Sequence, residues 1–306
     1  MTLLRRNAVP AFLLLSVLAG AGCATLDDAT KLGASLGVSK GVVTQEQATS
    51  ITKVTKAVAK TFEDITPEQE YYIGRTVGAV IVNRYKPYPD PGANGYLNLV
   101  GQTLAQASDR PETFGGYHFL ILDSPEINAF AAPGGLIFVS RGMLRCCTTE
   151  DAVAAVLAHE IAHVQLRHGL QAIDSSRLTH ALTTLGAEGA KSYGDKRLAD
   201  LTKDFEGSVR DVTSTLINNG YSRSFEREAD AAAVTILARV GYDPAGLVAM
   251  LGEMEKNLKP GGPDFAKTHP SPKSRVEEIE RRAGAAKTLA VVPSRQARFQ
   301  AGLGKL

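Results

Sequence analysis

The chain has 306 residues, 44% of them hydrophobic and 22% charged, with a formal net charge of +2. That composition is ordinary for a soluble globular protein, and the length suits one large domain or one domain plus an arm. No Lys/Arg block stands out, so nucleic-acid binding has no electrostatic footprint.

The chain opens as an export signal. Arg5 and Arg6 form a basic start, and residues 8–22 are uncharged and apolar but too short for a comfortable membrane span. The run closes on Leu18-Ala-Gly-Ala-Gly-Cys23, followed by the polar Ala24-Thr-Leu-Asp-Asp28. A small-residue run ending on Cys resembles a bacterial lipobox, although Gly20 stands where Leu is usual. The resemblance implies that residues 1–22 are a signal peptide and that Cys23 is lipidated. Ala24 after it resembles outer-membrane sorting. The expected location is the cell envelope, on the periplasmic side, as an outer-membrane lipoprotein touching the membrane through its lipid anchor only. No second apolar run approaches the ~20 residues that a bilayer span needs.

Residues 23–60 read as the lipidated tether and a leading helix, and residues 61–285 as the main domain. Thr66-Pro67-Glu68-Gln69 supplies an N-cap, a Pro in the first turn and a capping-box Gln, which predicts a helix from Pro67 to about Tyr85. The stretch from Pro87 to Gly95 reads as a loop, and Tyr96 to about Ala107 as a second helix. Tyr117–Leu122 and Gly135–Ser140 are strand candidates of a small sheet, with Asn128-Ala-Phe-Ala-Ala-Pro-Gly-Gly135 between them. Cys146 and Cys147 are adjacent, where a mutual bridge is strained, and read as small buried apolar residues. Thr148 or Thr149 caps the next helix, with Glu150 and Asp151 in its first turn, where the dipole favours acids.

That helix carries His159-Glu160-Ile161-Ala162-His163 in a stretch rich in Ala, Leu and Val, without Gly or Pro. Two histidines four apart share one helix face at the separation one zinc ion needs. Glu160, about 100° round the helix, misses the metal but can reach a metal-bound water as general base. His168 lies about 140° from His163 on a continuous helix, so it is expected to be structural or exposed. His118 and His180 carry no expected role.

Residues 170–220 are mostly polar and read as mobile or insertional helices over the site. Helices follow from Phe225 to about Val240, from Asp243-Pro244 to about Leu258, and from Ser274 to about Ala283 with Gly284 as the stop. Residues 286–306 read as a loose C-terminal tail. A catalytic zinc takes three protein ligands and leaves a position for water. The short-spaced route to a third ligand needs Gly and His three and six residues after His163, but Leu166 and Gly169 stand there. The other route is a Glu on a later helix. Glu226 and Asp230, four apart, face one way. Glu226 can bind the metal, and Asp230 can accept from the far nitrogen of a zinc-bound histidine. Glu228 points elsewhere.

Four motifs in this order resemble peptidase family M48, which includes the HtpX, CAAX prenyl protease and BepA-like zinc metallopeptidases. They are Asn128 to Gly135, Leu157 to His163, Glu226-Arg-Glu-Ala-Asp230, and Thr268-His269-Pro270 shortly before Arg275. The likeness covers roughly Thr66 to Ala283 and is nearest to the short, lipidated periplasmic members. It implies an α+β, mostly helical gluzincin-type domain holding one Zn2+ per chain, with a small sheet. Ala131, Ala132, Pro133 and Gly134 are expected on an edge strand by the cleft, where an extended peptide adds as a strand. His269 is expected either at the site, as a plug or an oxyanion donor, or packed in its loop; Arg275 either lines the cleft or lies exposed. The implied function is zinc-dependent cleavage of misfolded or unassembled envelope proteins in periplasmic quality control. The alternative is a periplasmic chaperone or outer-membrane assembly factor with latent or minor protease activity. Partners would be unfolded protein substrates and the outer-membrane assembly machinery.

Overall fold

The structure is a computed structural model that describes residues 65–173, 206–257, 269, 271–283 and 292–306. The expected signal, Cys23, the tether and His180 lie outside the described residues, as does most of the 170–220 stretch. The described residues belong to one unit, Ile65–Leu306.

Helix α1 spans Pro67–Tyr85. The Gln69 amide donates to the Thr66 hydroxyl, and the Thr66 amide donates to the Gln69 side chain, which closes the expected capping box. Helix α2 spans Pro91–Gln106 and so begins at Pro91 rather than Tyr96. Asp90 accepts from the Ala93 amide at 2.9 Å and Pro91 occupies the first turn, a start signal strong enough to carry Gly92 and Gly95 into the helix.

Three short strands follow: β1 (His118–Leu122), β2 (Ala129–Ala132) and β3 (Leu136–Ser140). The sheet order is β1-β3-β2, with β1 parallel and β2 antiparallel to β3. Asn94, Asn98 and Gln102 recur every fourth residue on one face of α2 and seal the β1 edge. The amides of Ile121 and Phe119 donate to Asn94 and Asn98, while the side-chain amides of Asn98 and Gln102 donate to the carbonyls of Phe119 and Tyr117. Beta strand β2 pairs with β3 alone among the described residues. The turn Pro133–Gly135 joins them, and α1 packs so close to it that a Cβ on Gly74 would lie 1.7 Å from the Pro133 carbonyl oxygen. Only glycine permits that approach.

After the short helix α3 (Arg141–Arg145) comes α4, Glu150–Gln165, capped by Thr149. Its residues from Glu150 to Val164 are all buried. A helix apolar on every side belongs at a core, and Val153, Leu157 and Ile161 pack among Leu97, Ile137, Leu237 and Met250. Cys146 and Cys147 lie buried as free thiols in the same core. The remaining elements are α5 (His168–Gln171), α6 (Glu206–Ser214) running into a π-helical turn (Thr215–Asn219), α7 (Arg223–Arg239), α8 (Ala245–Asn257), α9 (Pro272–Ala283) and α10 (Pro293–Leu303). The described architecture is mostly helical with one small sheet. Among the described residues no helix is long and apolar enough to cross a membrane.

The C-terminal residues depart from the loose tail expected of them. In α10, Phe299 and Leu303 are buried. Arg298 forms a bidentate pair with the fully buried Glu150, which also accepts from the hydroxyls of Tyr96 and Tyr242. Arg295 pairs with Asp151 at 3.1 Å and lies over the Tyr242 ring. The two acids that open α4 thus recruit two arginines from the end of the chain. Ending the chain before Pro293 leaves Glu150 buried without its cation and uncovers the sites of Phe299 and Leu303. Stability then falls by about 3–5 kcal/mol, read as a lower thermal midpoint; an unchanged midpoint contradicts this packing role.

Candidate metal centre

Helix α7 packs against α4 and carries Glu226 to the face that presents His159 and His163. Ser222 caps α7 and accepts from the Phe225 amide, which fixes where Glu226 falls in the first turn. The His159 Nε2 and His163 Nε2 atoms are 3.1 Å apart. Glu226 Oε1 lies 3.4 Å from His163 Nε2, and Glu226 Oε2 lies 3.5 Å from His159 Nε2. Zinc bonds to nitrogen and oxygen of about 2.0–2.2 Å, set tetrahedrally, give ligand separations of about 3.3–3.5 Å. The three observed separations are close to that edge length. Glu226 Oε2 is also buried without a hydrogen-bond partner, a costly arrangement unless another group answers it. The donor set therefore fits a zinc ion.

Charge supports the same reading. Burial pushes the His163 pKa down to about 3 despite Glu226, so its ring is neutral, as a metal ligand must be. Burial works against ionisation of Glu226, but His269, His159 and His163 hold its carboxyl well below the usual range. Burial and Arg275 lower the His159 pKa, yet Asp230 and Glu226 outweigh them and raise it to about 9. His159 in the chain alone therefore keeps a proton that zinc must displace. Apparent zinc affinity, measured by chelator competition, should rise about tenfold per pH unit up to about 9 and then level; a flat profile contradicts that assignment.

Asp230 and Arg275 stand behind His159. Asp230 Oδ1 is 3.0 Å from His159 Nδ1, the acceptor position that fixes a ligand tautomer. Arg275 pairs with Asp230 through Nε–Oδ2 at 3.0 Å and Nη2–Oδ1 at 2.6 Å. Burial opposes the Asp230 charge, but Arg275 and His159 keep its carboxyl well below the ordinary range. Arg275 is itself buried, so of its two expected placements the structure gives the interior one.

Glu160 is buried beside the ligands. Burial, partly offset by His159, raises its pKa to about 7. It lines a small cavity with Ala129, Phe130, Leu216, Tyr221 and His269. His269 Nδ1 lies 2.8 Å from Glu226 Oε1, and the ligand atoms of His159, His163, Glu226 and His269 all fall within 4.8 Å of one another. His269 thus belongs to the centre rather than to a remote loop.

The expected edge strand is corrected in its bounds. Ala131 and Ala132 end β2, whereas Pro133 and Gly134 form the following turn, where Gly134 adopts φ 77°. The Ser140 amide donates to the Asn128 carbonyl, so antiparallel alternation turns the amide and carbonyl of Ala131 away from β3. The Ala129 amide is taken by the Asn128 side chain.

His168 and Tyr221 are partners that the helical spacing did not indicate. His168 is wholly buried, with Nδ1 2.9 Å from His163 Nδ1. Tyr221 stacks on the His163 ring at 4.3 Å between centroids. Their one sequence signal is position: His168 is the next histidine after His163, and Tyr221 lies just before Glu226. Glu228 is largely exposed, and His118 is exposed with Nε2 2.8 Å from the Gly115 carbonyl oxygen.

The family model described as Peptidase family M48 matches residues 91–283. The beta-barrel assembly-enhancing protease of Escherichia coli (strain K12) is 29% identical over 232 residues, covering 74% of this chain and 45% of that protein. The mitochondrial metalloendopeptidase OMA1 of Schizosaccharomyces pombe is 33% identical over 171 residues, covering 52% of this chain and 44% of the relative. Human mitochondrial metalloendopeptidase OMA1 is 31% identical over 169 residues, covering 53% and 31%. The chain thus spans less than half the length of these relatives. The matched residues include β2, α4, α7, His269 and Arg275, every element of the centre described above. The chain belongs to Peptidase family M48 and is a metalloendopeptidase.

Proposed function

We propose that this chain is a gluzincin-type, zinc-dependent endopeptidase that cleaves misfolded or unassembled envelope proteins. It works on the periplasmic side, held to the outer membrane by a lipid on Cys23. The observation that carries the catalytic part is the ligand triangle of His159, His163 and Glu226 with Glu160 beside it. Support for the substrates comes from the likeness to the beta-barrel assembly-enhancing protease and from the export signal. The outer-membrane assembly machinery is the partner this reading implies.

Zinc bound by His159, His163 and Glu226 would lower the pKa of a water and polarise the scissile carbonyl. Glu160 takes a proton from the attacking water and returns it to the leaving amine. A pKa of about 7 suits a group that must both accept and release a proton near neutral pH. Strand β2 is buried, and the Ala131 amide and carbonyl point away from β3, so an extended substrate segment adds there once the cover over β2 gives way. Main-chain bonding of that kind reads little sequence, which suits unfolded substrates. His269 lies among the same ligand atoms, so it would have to leave them for a water or substrate to reach a bound zinc.

The placement of His269 also favours a second reading, a periplasmic chaperone or assembly factor whose protease is latent. Cleavage of an unfolded protein such as casein, with and without chelator, separates the two. The endopeptidase reading expects cleavage that chelator abolishes and zinc restores. Suppressed aggregation of unfolded outer-membrane proteins without any cleavage would favour the chaperone.

A further inference from the structure

We propose that His168 is the positioning residue for the zinc ligand His163, resting on the zinc reading above. Its Nδ1 accepts the proton on His163 Nδ1, and its own Nε2–H points to Glu228 at the surface. The two Nδ1 atoms are 2.9 Å apart, and His168 Nε2 is 3.4 Å from Glu228 Oε2.

A continuous helix would turn His168 away from the metal face, and the chain prevents this at one residue. Helix α4 stops after Gln165, and Arg167 takes the left-handed conformation (φ 56°, ψ 30°), which a non-glycine residue rarely adopts. Arg167 is held there by the Ile65 carbonyl, to which its Nη2 donates at 2.9 Å, and by Glu70 Oε2, 3.4 Å from its Nε. The strained turn swings His168 back over His163. Strain maintained by surrounding contacts beside a site points to a role for what it places.

Helix α7 and the turn before it then clamp both rings. Phe225 stacks on His168 at 4.4 Å with 8° between planes, and Tyr221 stacks on His163 at 4.3 Å with 18°. Phe225 adjoins Glu226 and Tyr221 precedes it by five residues, so the segment that delivers the third ligand also covers the faces of the two imidazoles. Their Nδ1 atoms are left to each other.

The tautomers follow from this geometry. Metal on His163 Nε2 puts its proton on Nδ1, which must donate. His168 Nδ1, the atom facing it, must accept, so the His168 proton lies on Nε2 and faces Glu228. His159 reaches the same end through Asp230, so the two histidine ligands are oriented by different chemistries. A merely packed histidine would need filling, whereas this one needs an acceptor at the Nδ1 position.

Two near-isosteric variants of the full chain separate these roles. His168→Asn keeps an acceptor oxygen where Nδ1 stands, and His168→Leu keeps the volume without it. Zinc dissociation constants from competition with a chromophoric chelator should weaken about 10- to 100-fold in His168→Leu and recover most of that in His168→Asn. Leu binding as tightly as wild type, or Asn no better than Leu with both folded, overturns the proposal. A long-range 1H–15N spectrum of zinc-loaded wild type needs no variant: His168 should be the Nε2–H tautomer, and a His168 carrying its proton on Nδ1 overturns the assignment. A wild type that binds zinc while either result fails leaves the metal centre standing and removes only His168; a wild type that binds none removes both.

Discussion

Replacing Glu160 with Gln should leave zinc binding and the fold intact while lowering kcat for unfolded-protein cleavage by about 10²- to 10⁴-fold or more. The substitution keeps shape and removes only the ability to take a proton, which general acid–base catalysis values at about that factor. Glu160 is outside the ligand triangle, so metal content should not change. It is buried at a cost that already lifts its pKa to about 7, so the neutral amide should not destabilise the core. KM should hold, because in the proposed mechanism Glu160 moves a proton and does not bind the substrate's main chain. Steady-state kinetics, zinc analysis and a melting curve on one preparation check all three points. A Glu160→Gln enzyme that keeps more than a tenth of wild-type kcat removes Glu160 from its role.

The second large effect concerns the pair behind His159. Asp230→Ala should cost about 3–5 kcal/mol of stability, because it leaves the buried Arg275 guanidinium without its bidentate carboxylate. It should also weaken zinc about 10- to 100-fold, because His159 Nδ1 loses its acceptor. The double variant Asp230→Leu with Arg275→Met separates the two losses. Removing both charges should recover most of the stability, since apolar replacement of a buried pair is often neutral. It should not recover zinc affinity. If the double variant binds zinc like wild type, Asp230 serves packing and charge balance but not the ligand.

How far the sequence spoke depends on how local each signal was. Thr66 and Gln69 are three apart, and the capping box they predict is present. The all-apolar run before His159 announces a buried helix, and Glu226 with Asp230 at i,i+4 announces a shared face. What escaped was set by distant partners or by a single dihedral. The α10 helix is held by Glu150 and Asp151, 148 and 144 residues away, and nothing near Arg295 or Arg298 signals that pairing. The early start of α2 was hidden because Gly92 and Gly95 read as loop residues beside Pro87, Pro89 and Pro91. The return of His168 depends on the φ of Arg167, which no periodicity encodes, and Arg275 is placed by partners on other helices, Asp230 foremost.

The central claim is a zinc ion held by His159, His163 and Glu226. Its most direct test is the metal content of freshly purified protein, measured by native mass spectrometry on wild type beside His163→Ala. The account predicts about one zinc per chain in wild type and none in the variant after the same purification. A metal-free wild type that nonetheless cleaves unfolded protein at full rate would contradict it.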